Sequence, residues 1–279
     1  MIISVVNRAR SLHDEDVLRA IRAINRQLHE DFAPYWSLAA TLRLEAAIGK
    51  TADQRKLPEL RGDAVLYLCD GVGARDALAY HCANFRGIPY GFVFTGLCKQ
   101  LGDSWTAALS HEALELLADA RANLLVRGPH PVEPRHQVFH WFELCDPVQT
   151  QHYEIDGVEV CNFVLPLYFT PKEEAGGRND FLGRLSRGKG LKSFGVSPGG
   201  YIGFFDPRKQ ANDTWFAPGD RRAKKRIELK ARARVGRGFV RRNSDGVAAR
   251  EDEHLQVLTA ADRPDGHRKV AVTSKKRRA

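Results

Sequence analysis

The segment His111-Glu112-Ala113-Leu114-Glu115 holds the residues with the most chemistry to offer. On a helix, positions 111 and 115 share one face, about one turn apart. An imidazole and a carboxylate placed in that way can both reach one divalent cation. Glu112, next to the imidazole, is then the free base that takes a proton from a water activated by the ion. Metal-assisted hydrolysis needs that division between side chains that fix the ion and a carboxylate left to work on the water. A glutamate-rich helix reaches the same spacing by chance, so the surroundings must decide. A third ligand is on offer downstream in Trp141-Phe142-Glu143-Leu144-Cys145-Asp146-Pro147, where Glu143 and Asp146 stand among apolar residues. Carboxylates in an apolar setting are costly unless paired or metal-bound, and a cap or a loop salt bridge is the competing use.

Other residues compete for a role. His136 and His140 are four apart with His130 close by, but Pro129, Pro131 and Pro134 make helical geometry doubtful there, and 128–140 reads as loop. His81 could face the cleft and stabilise an oxyanion; a hydrogen bond satisfied within the sheet is the favoured use. Asp119, one turn beyond Glu115, could orient a ligand or simply end the helix at the surface. Cys69, Cys82, Cys98, Cys145 and Cys161 form no C-x-x-C pair and read as buried thiols. No Gly-x-Ser-x-Gly or Gly-x-x-x-x-Gly-Lys-Ser/Thr run occurs, so serine-hydrolase and P-loop chemistry lack their usual support. Gly71-Val72-Gly73 lacks the third glycine of a dinucleotide loop.

The elements that must position these groups alternate along the chain. Residues 2–6 form a short apolar run that reads as a buried strand. In 14–32, Val17, Ile21, Ile24 and Leu28 trace one face of an amphipathic helix, with Asp14, Glu15 and Asp16 at its positive end. Strands are expected over 37–44 (with helix as competitor), 64–69, 77–82 and 90–95. A helix is expected over 105–118, capped by Asp103 or Ser104. Beyond it, 158–168 and 201–205 read as strands, the latter led in by the turn Ser197-Pro198-Gly199-Gly200.

Charge divides the chain. Residues 221–279 carry 19 Lys and Arg against 7 Asp and Glu, a surplus of 12. With a net charge of +9 overall, 1–220 is left at −3. This predicts a domain over 1–220 and a basic, partly disordered tail over 221–279, with 222–234 as a possible helix. Such a tail would bind nucleic acid weakly and without sequence preference, although Phe239 is its only aromatic residue for stacking on bases. No run of about 18 apolar residues suggests a membrane span. The N-terminus lacks the pattern of a secretory signal, and a cytoplasmic location is expected.

The run Leu109-Ser110-His111-Glu112-Ala113-Leu114-Glu115, followed by Asp119, Asn123 and Glu143-Leu144-Cys145-Asp146-Pro147-Val148, resembles a bacterial zincin-like family. Its members carry a Ser-His-Glu-x-x-Glu helix and a Glu-x-Cys-Asp-Pro-Val segment. The resemblance spans roughly residues 1–205 and is specific mainly at those two motifs. It implies an α+β, zincin-like fold: a twisted mixed sheet, one backing helix and one active-site helix. It also implies zinc held by His111, Glu115 and Asp146, with Glu143 in reserve, and Glu112 as general base. The activity implied is that of a metallopeptidase acting on a peptide or protein substrate. Glu115 stands where better known zincins have a second histidine, which adds negative charge and lowers the Lewis acidity of the ion. Catalysis is therefore a weaker expectation than metal binding. A non-catalytic zincin-like protein that docks on nucleic acid or a partner through its tail is the alternative.

Overall fold

Short apolar runs bounded by turns build the sheet behind the site, in a computed structural model that describes residues 1–45, 62–70, 79–83, 87–171, 177–186 and 188–225. Strands β1 (Ile2–Asn7), β2 (Thr41–Leu44), β3 (Ala64–Cys69), β4 (Ala79–Ala83) and β5 (Pro89–Phe94) line up in the order β2-β1-β3-β5-β4. The first three and β5 run parallel; β4 is antiparallel to β5 and stands at the edge. Parallel strands are covered on both faces, which explains their nearly unbroken apolar text. Ile3, Val5, Leu42, Leu66, Leu68 and Val93 join the main core. The opposite pleat carries Tyr67 and Phe92, whose rings stack at 5.0 Å.

Two helices and a hairpin complete this layer. Helix α1 (Asp14–Arg26) buries Val17, Ala20, Ile21, Ala23 and Ile24, and its acidic first turn suits the positive helix end. It continues through a π-helical turn over Gln27–Phe32 into the short α2 (Ala33–Trp36). After β5 the chain enters α3 (Thr95–Leu101) and, past Gly102, α4 (Trp105–Ala118), capped by Ser104. Helix α4 packs on β3, β4 and β5 and on β9 (Val158–Cys161); α1 packs on β2, on β9 and on β8 (His152–Ile155). The β8–β9 hairpin thus touches both helices. A second, antiparallel sheet has the order β11-β10-β7-β6, from β6 (Leu125–Pro129), β7 (Gln137–Trp141), β10 (Ile202–Asp206) and β11 (Ala211–Trp215). The fold is therefore mixed, with sheets and few helices. Among the described residues no helix is long and apolar enough to cross a membrane.

Several sequence expectations need correction. The stretch 128–140 is largely a hairpin rather than a loop. Pro131 and Pro134 fall in its turn, while β7 buries Val138 and His140 in strict alternation. The strand expected over 158–168 stops at Cys161, and Pro166 opens a 3-10 turn over Pro166–Phe169. Only Thr41–Leu44 of 37–44 is strand, because Ser37 adopts the left-handed conformation that ends α2. Helix α3 was not anticipated, since its seven residues include a glycine and follow directly on a strand.

The basic segment begins in contact with the body. Residues 221–225 are helical, and Ala223 is fully buried. Asp220 caps this turn through the backbone N–H groups of Arg222 and Ala223, and its carboxylate also accepts from the N–H of Gly199. Burial works against the charge of Asp220, but these backbone donors outweigh it and hold the carboxyl below its ordinary value. A group with a lowered folded pKa contributes stability above its unfolded pKa and loses it as pH falls through the folded one. The turn is therefore expected to release in acid, below about pH 4. Asp220→Ala should reproduce the release at neutral pH, at a cost of about 1 kcal/mol. Limited proteolysis at Lys224 and Lys225 reads both effects, and unchanged cleavage would refute the cap. The Gly71-Val72-Gly73 run and the tail beyond Lys225 lie outside the described residues.

Candidate metal centre

Helix α4 is the scaffold of the site, and it is held on several sides. Ser110 Oγ donates to Gln27 Oε1 at 2.6 Å and accepts from the N–H of Cys161 at 3.2 Å. Gln27 Nε2 in turn donates to the Cys161 carbonyl at 2.7 Å. The π-helical turn that carries Gln27 is thereby locked to both α4 and β9. Such turns are frequent at functional sites. Leu109, Ala113, Leu114 and Leu116 fill the core around the same helix.

His111 and Glu115 meet as their spacing predicts, with Nε2 and Oε2 3.1 Å apart. Asp146 Oδ1 lies 3.5 Å from the same nitrogen, and Glu112 Oε1 lies 3.9 Å away. One imidazole nitrogen therefore faces three carboxylates. Only His111 keeps access to solvent, at 12% exposure; Glu112, Glu115 and Asp146 are buried. Burial disfavours the charged imidazole, but the nearby carboxylates of Glu115, Asp146 and Glu112 outweigh it. The His111 pKa is pushed well above its ordinary value.

Asp146 arrives on a rigid segment. Strand β7 leads through Glu143 to a 3-10 turn over Asp146–Val148. The turn at Ser197-Pro198-Gly199-Gly200 clamps it: Ser197 N–H donates to the Pro147 carbonyl and Tyr201 N–H to the Asp146 carbonyl. A Cβ on Gly200 would stand 2.1 Å from the Pro147 carbonyl oxygen, so only glycine permits this approach. Gly200→Ala is expected to shift Asp146, and if that carboxylate holds a metal ion, to weaken its binding by about 10–100-fold, the usual cost of disturbing a ligand's support. Titration with zinc checks this, and an unchanged affinity would separate the clamp from the site. Glu143, Asp146, Tyr168 and Tyr201 line a cleft beside the segment.

Two groups stand out as potential metal holders. His111, Glu115 and Cys145 form one set, and His81, Glu115 and Glu143 another, with the donor atoms in each within 4.8 Å of one another. Cys145 is fully buried; burial first, then Cys161, Glu115 and Asp146, push its thiol pKa well above the ordinary value. Its Sγ lies 3.9 Å from the His111 carbonyl and 3.6 Å from Cys161 Sγ. The backbone N–H of Cys145 also donates to Glu115 Oε1 at 3.1 Å, which orients that carboxylate.

The remaining candidates fall into place around or away from this cluster. His81, on β4, is inside it: Nδ1 lies 3.2 Å from Glu112 Oε2 and Nε2 lies 3.1 Å from the Asp119 carbonyl. Asp119 is buried rather than at the surface, and its carboxylate accepts from the N–H of Leu124 at 2.7 Å. The proline-flanked histidines serve the second sheet. His136 Nε2 pairs with Asp206 at 2.8 Å, His130 Nδ1 accepts from the N–H groups of Val132 and Glu133, and His140 Nε2 donates to the Pro129 carbonyl. Burial lowers the pKa of His140 to about 4. Sequence reasoning underweighted His81 and Cys145. A histidine in an apolar strand and a cysteine between ligand-type residues were the only signals, and both are usually structural.

The chain matches no protein-family model, and neither curated proteins nor solved structures yield a match. The site must be read from its own chemistry. His, Glu and Cys groups that could hold a metal ion are present on α4, on β4 and in the segment that follows β7.

Proposed function

We propose that the protein is a zinc-dependent hydrolase of peptide bonds, with the ion held by His111, Glu115 and Asp146 and with Glu112 as general base. The observation that carries this reading is the set of distances around His111 Nε2. Ligands about 2.0–2.2 Å from a tetrahedral ion lie roughly 3.3–3.6 Å from each other. The separations to Glu115 and Asp146 are 3.1 and 3.5 Å. Glu112 stands farther off at 3.9 Å, outside ligand spacing, and its Oε2 lies 3.2 Å from His81 Nδ1. The donor set, one imidazole and two carboxylates of which Asp146 also lines the cleft, suits zinc in a catalytic role.

Zinc bound there would supply Lewis acidity, polarising a carbonyl and making a water more acidic. The chain's own residues do the rest. Glu112 accepts the proton of the attacking water and passes it to the departing amine. Burial of Glu112 and Glu115 strengthens their electrostatic action on the reacting groups. A peptide substrate is favoured by β4, an edge strand whose His81 touches Glu112. An extended peptide that adds to such an edge lies beside the base. The resemblance to zincin-like proteins supports the same reading, since a mixed sheet with a backing helix (α1) and a site-bearing helix (α4) is its expected frame.

Elemental analysis of protein purified without chelator or affinity metal, followed by cleavage assays on a quenched peptide library, tests the proposal. Bound zinc with chelator-sensitive cleavage supports it. Absence of bound metal after zinc is added back would sink it. Salt-sensitive nucleic-acid binding that vanishes on removal of 221–279 would instead support the docking alternative.

A further inference from the structure

His81 and Glu143 have no part in the zinc site as described, yet both belong to the same buried cluster. His81 is 1% exposed and Glu143 6%. A backbone carbonyl only accepts, so the 3.1 Å contact between His81 Nε2 and the Asp119 oxygen fixes the proton on Nε2. The other nitrogen, Nδ1, then faces the carboxylates, with Glu112 Oε2 at 3.2 Å and Glu115 Oε2 at 3.9 Å. A divalent ion is one species that can stand between that lone pair and the carboxylate oxygens. A ligating histidine typically has this arrangement, one ring nitrogen donating to a backbone carbonyl and the other aimed at the ion. The carbonyl is itself well placed, because Asp119 ends α4 with its N–H on Glu115 and its carboxylate on Leu124.

We infer that His81 Nδ1, Glu115 and Glu143 form a second metal subsite, so that Glu115 bridges two divalent ions. The three donor atoms lie within 4.8 Å of one another, a span that one ion with bonds of about 2.1–2.4 Å can bridge. Glu115 Oε2 approaches both histidines, at 3.1 Å from His111 and 3.9 Å from His81, which is the position a bridging carboxylate requires. The subsite gives Glu143 and Asp146 separate duties, one on each ion. One imidazole and two carboxylates suit a divalent first-row ion such as Zn2+ or Mn2+. A paired centre clamps both the attacking and the departing atom of a hydrolysis. It also offsets the added negative charge that Glu115 brings in place of a histidine. The inference rests on the proposed hydrolase only through the shared Glu115.

The test is metal stoichiometry of the full-length chain, stripped and then reloaded with Zn2+ or Mn2+, alongside His81→Asn, Glu143→Gln and Asp146→Asn. Thermal melts of the stripped proteins confirm that each variant folds. Wild type should take up about two equivalents per chain and, with Mn2+, show the exchange-coupled resonance of ions roughly 3.5–4 Å apart. His81→Asn and Glu143→Gln should each hold about one equivalent and lose that coupling, while Asp146→Asn weakens the other ion. One equivalent in the wild type, unaffected by His81→Asn and Glu143→Gln, overturns the second subsite and makes His81 an imidazolium paired with Glu112. That outcome leaves the hydrolase standing. No bound metal at all overturns both.

Discussion

Glu112→Gln is expected to leave metal content unchanged while lowering kcat for peptide cleavage by about 10²–10⁴-fold, the usual share of a general base. The amide keeps the shape of the carboxylate but cannot take a proton. Glu112 stands 3.9 Å from His111 Nε2, against 3.1 Å for Glu115, so removing its charge should not open the proposed zinc site. The loss should fall on kcat rather than KM, because proton transfer belongs to the transition state. Steady-state kinetics with parallel elemental analysis decides it. Equal activity in the variant would remove Glu112 from the mechanism; loss of metal would make it a ligand instead.

His111→Ala should have the larger effect on the ion itself. The imidazole is the one neutral donor of the proposed set and its one member with access to solvent. Its removal leaves only carboxylates in the proposed set, and zinc affinity should fall by more than the roughly 10–100-fold that an outer partner costs. Circular dichroism separates this from unfolding. Binding to the wild type should also depend on pH with a defined sign. The raised pKa of His111 means that zinc must displace a proton there, so affinity rises with pH until His111 is neutral without the ion. A titration across pH 6 to 8 that shows no such slope, or an unchanged affinity in His111→Ala, would contradict the assignment.

The pairing of His111 with Glu115 was legible in the chain because it is local. Four residues on a helix bring two side chains together whatever the rest of the fold does, and Ser104, Trp105 and the alanine- and leucine-rich run that follows announce that helix. The amphipathic face of α1 and the apolar text of β3 and β5 were readable for the same reason, as each is a short-range pattern that matches its burial. Asp146 was a candidate beside Glu143 from its apolar setting and was singled out by the resemblance alone, since nothing in its neighbours fixes a contact across 35 residues.

Tertiary structure decided the remainder. His81 enters the cluster because β4 turns back antiparallel beside β5, a pairing set by long-range register rather than by its own residues. Gly200 matters because it lies against Pro147, a contact that neither residue announces. The hairpin of β6 and β7 was hidden by prolines that the fold places in its turn. The sequence by itself determined a helix with an imidazole, a base and a carboxylate on it, because helical spacing is a local property of the chain. Which further groups surround that imidazole was left to the packing of strands and turns, where distance along the chain carries no information about distance in space.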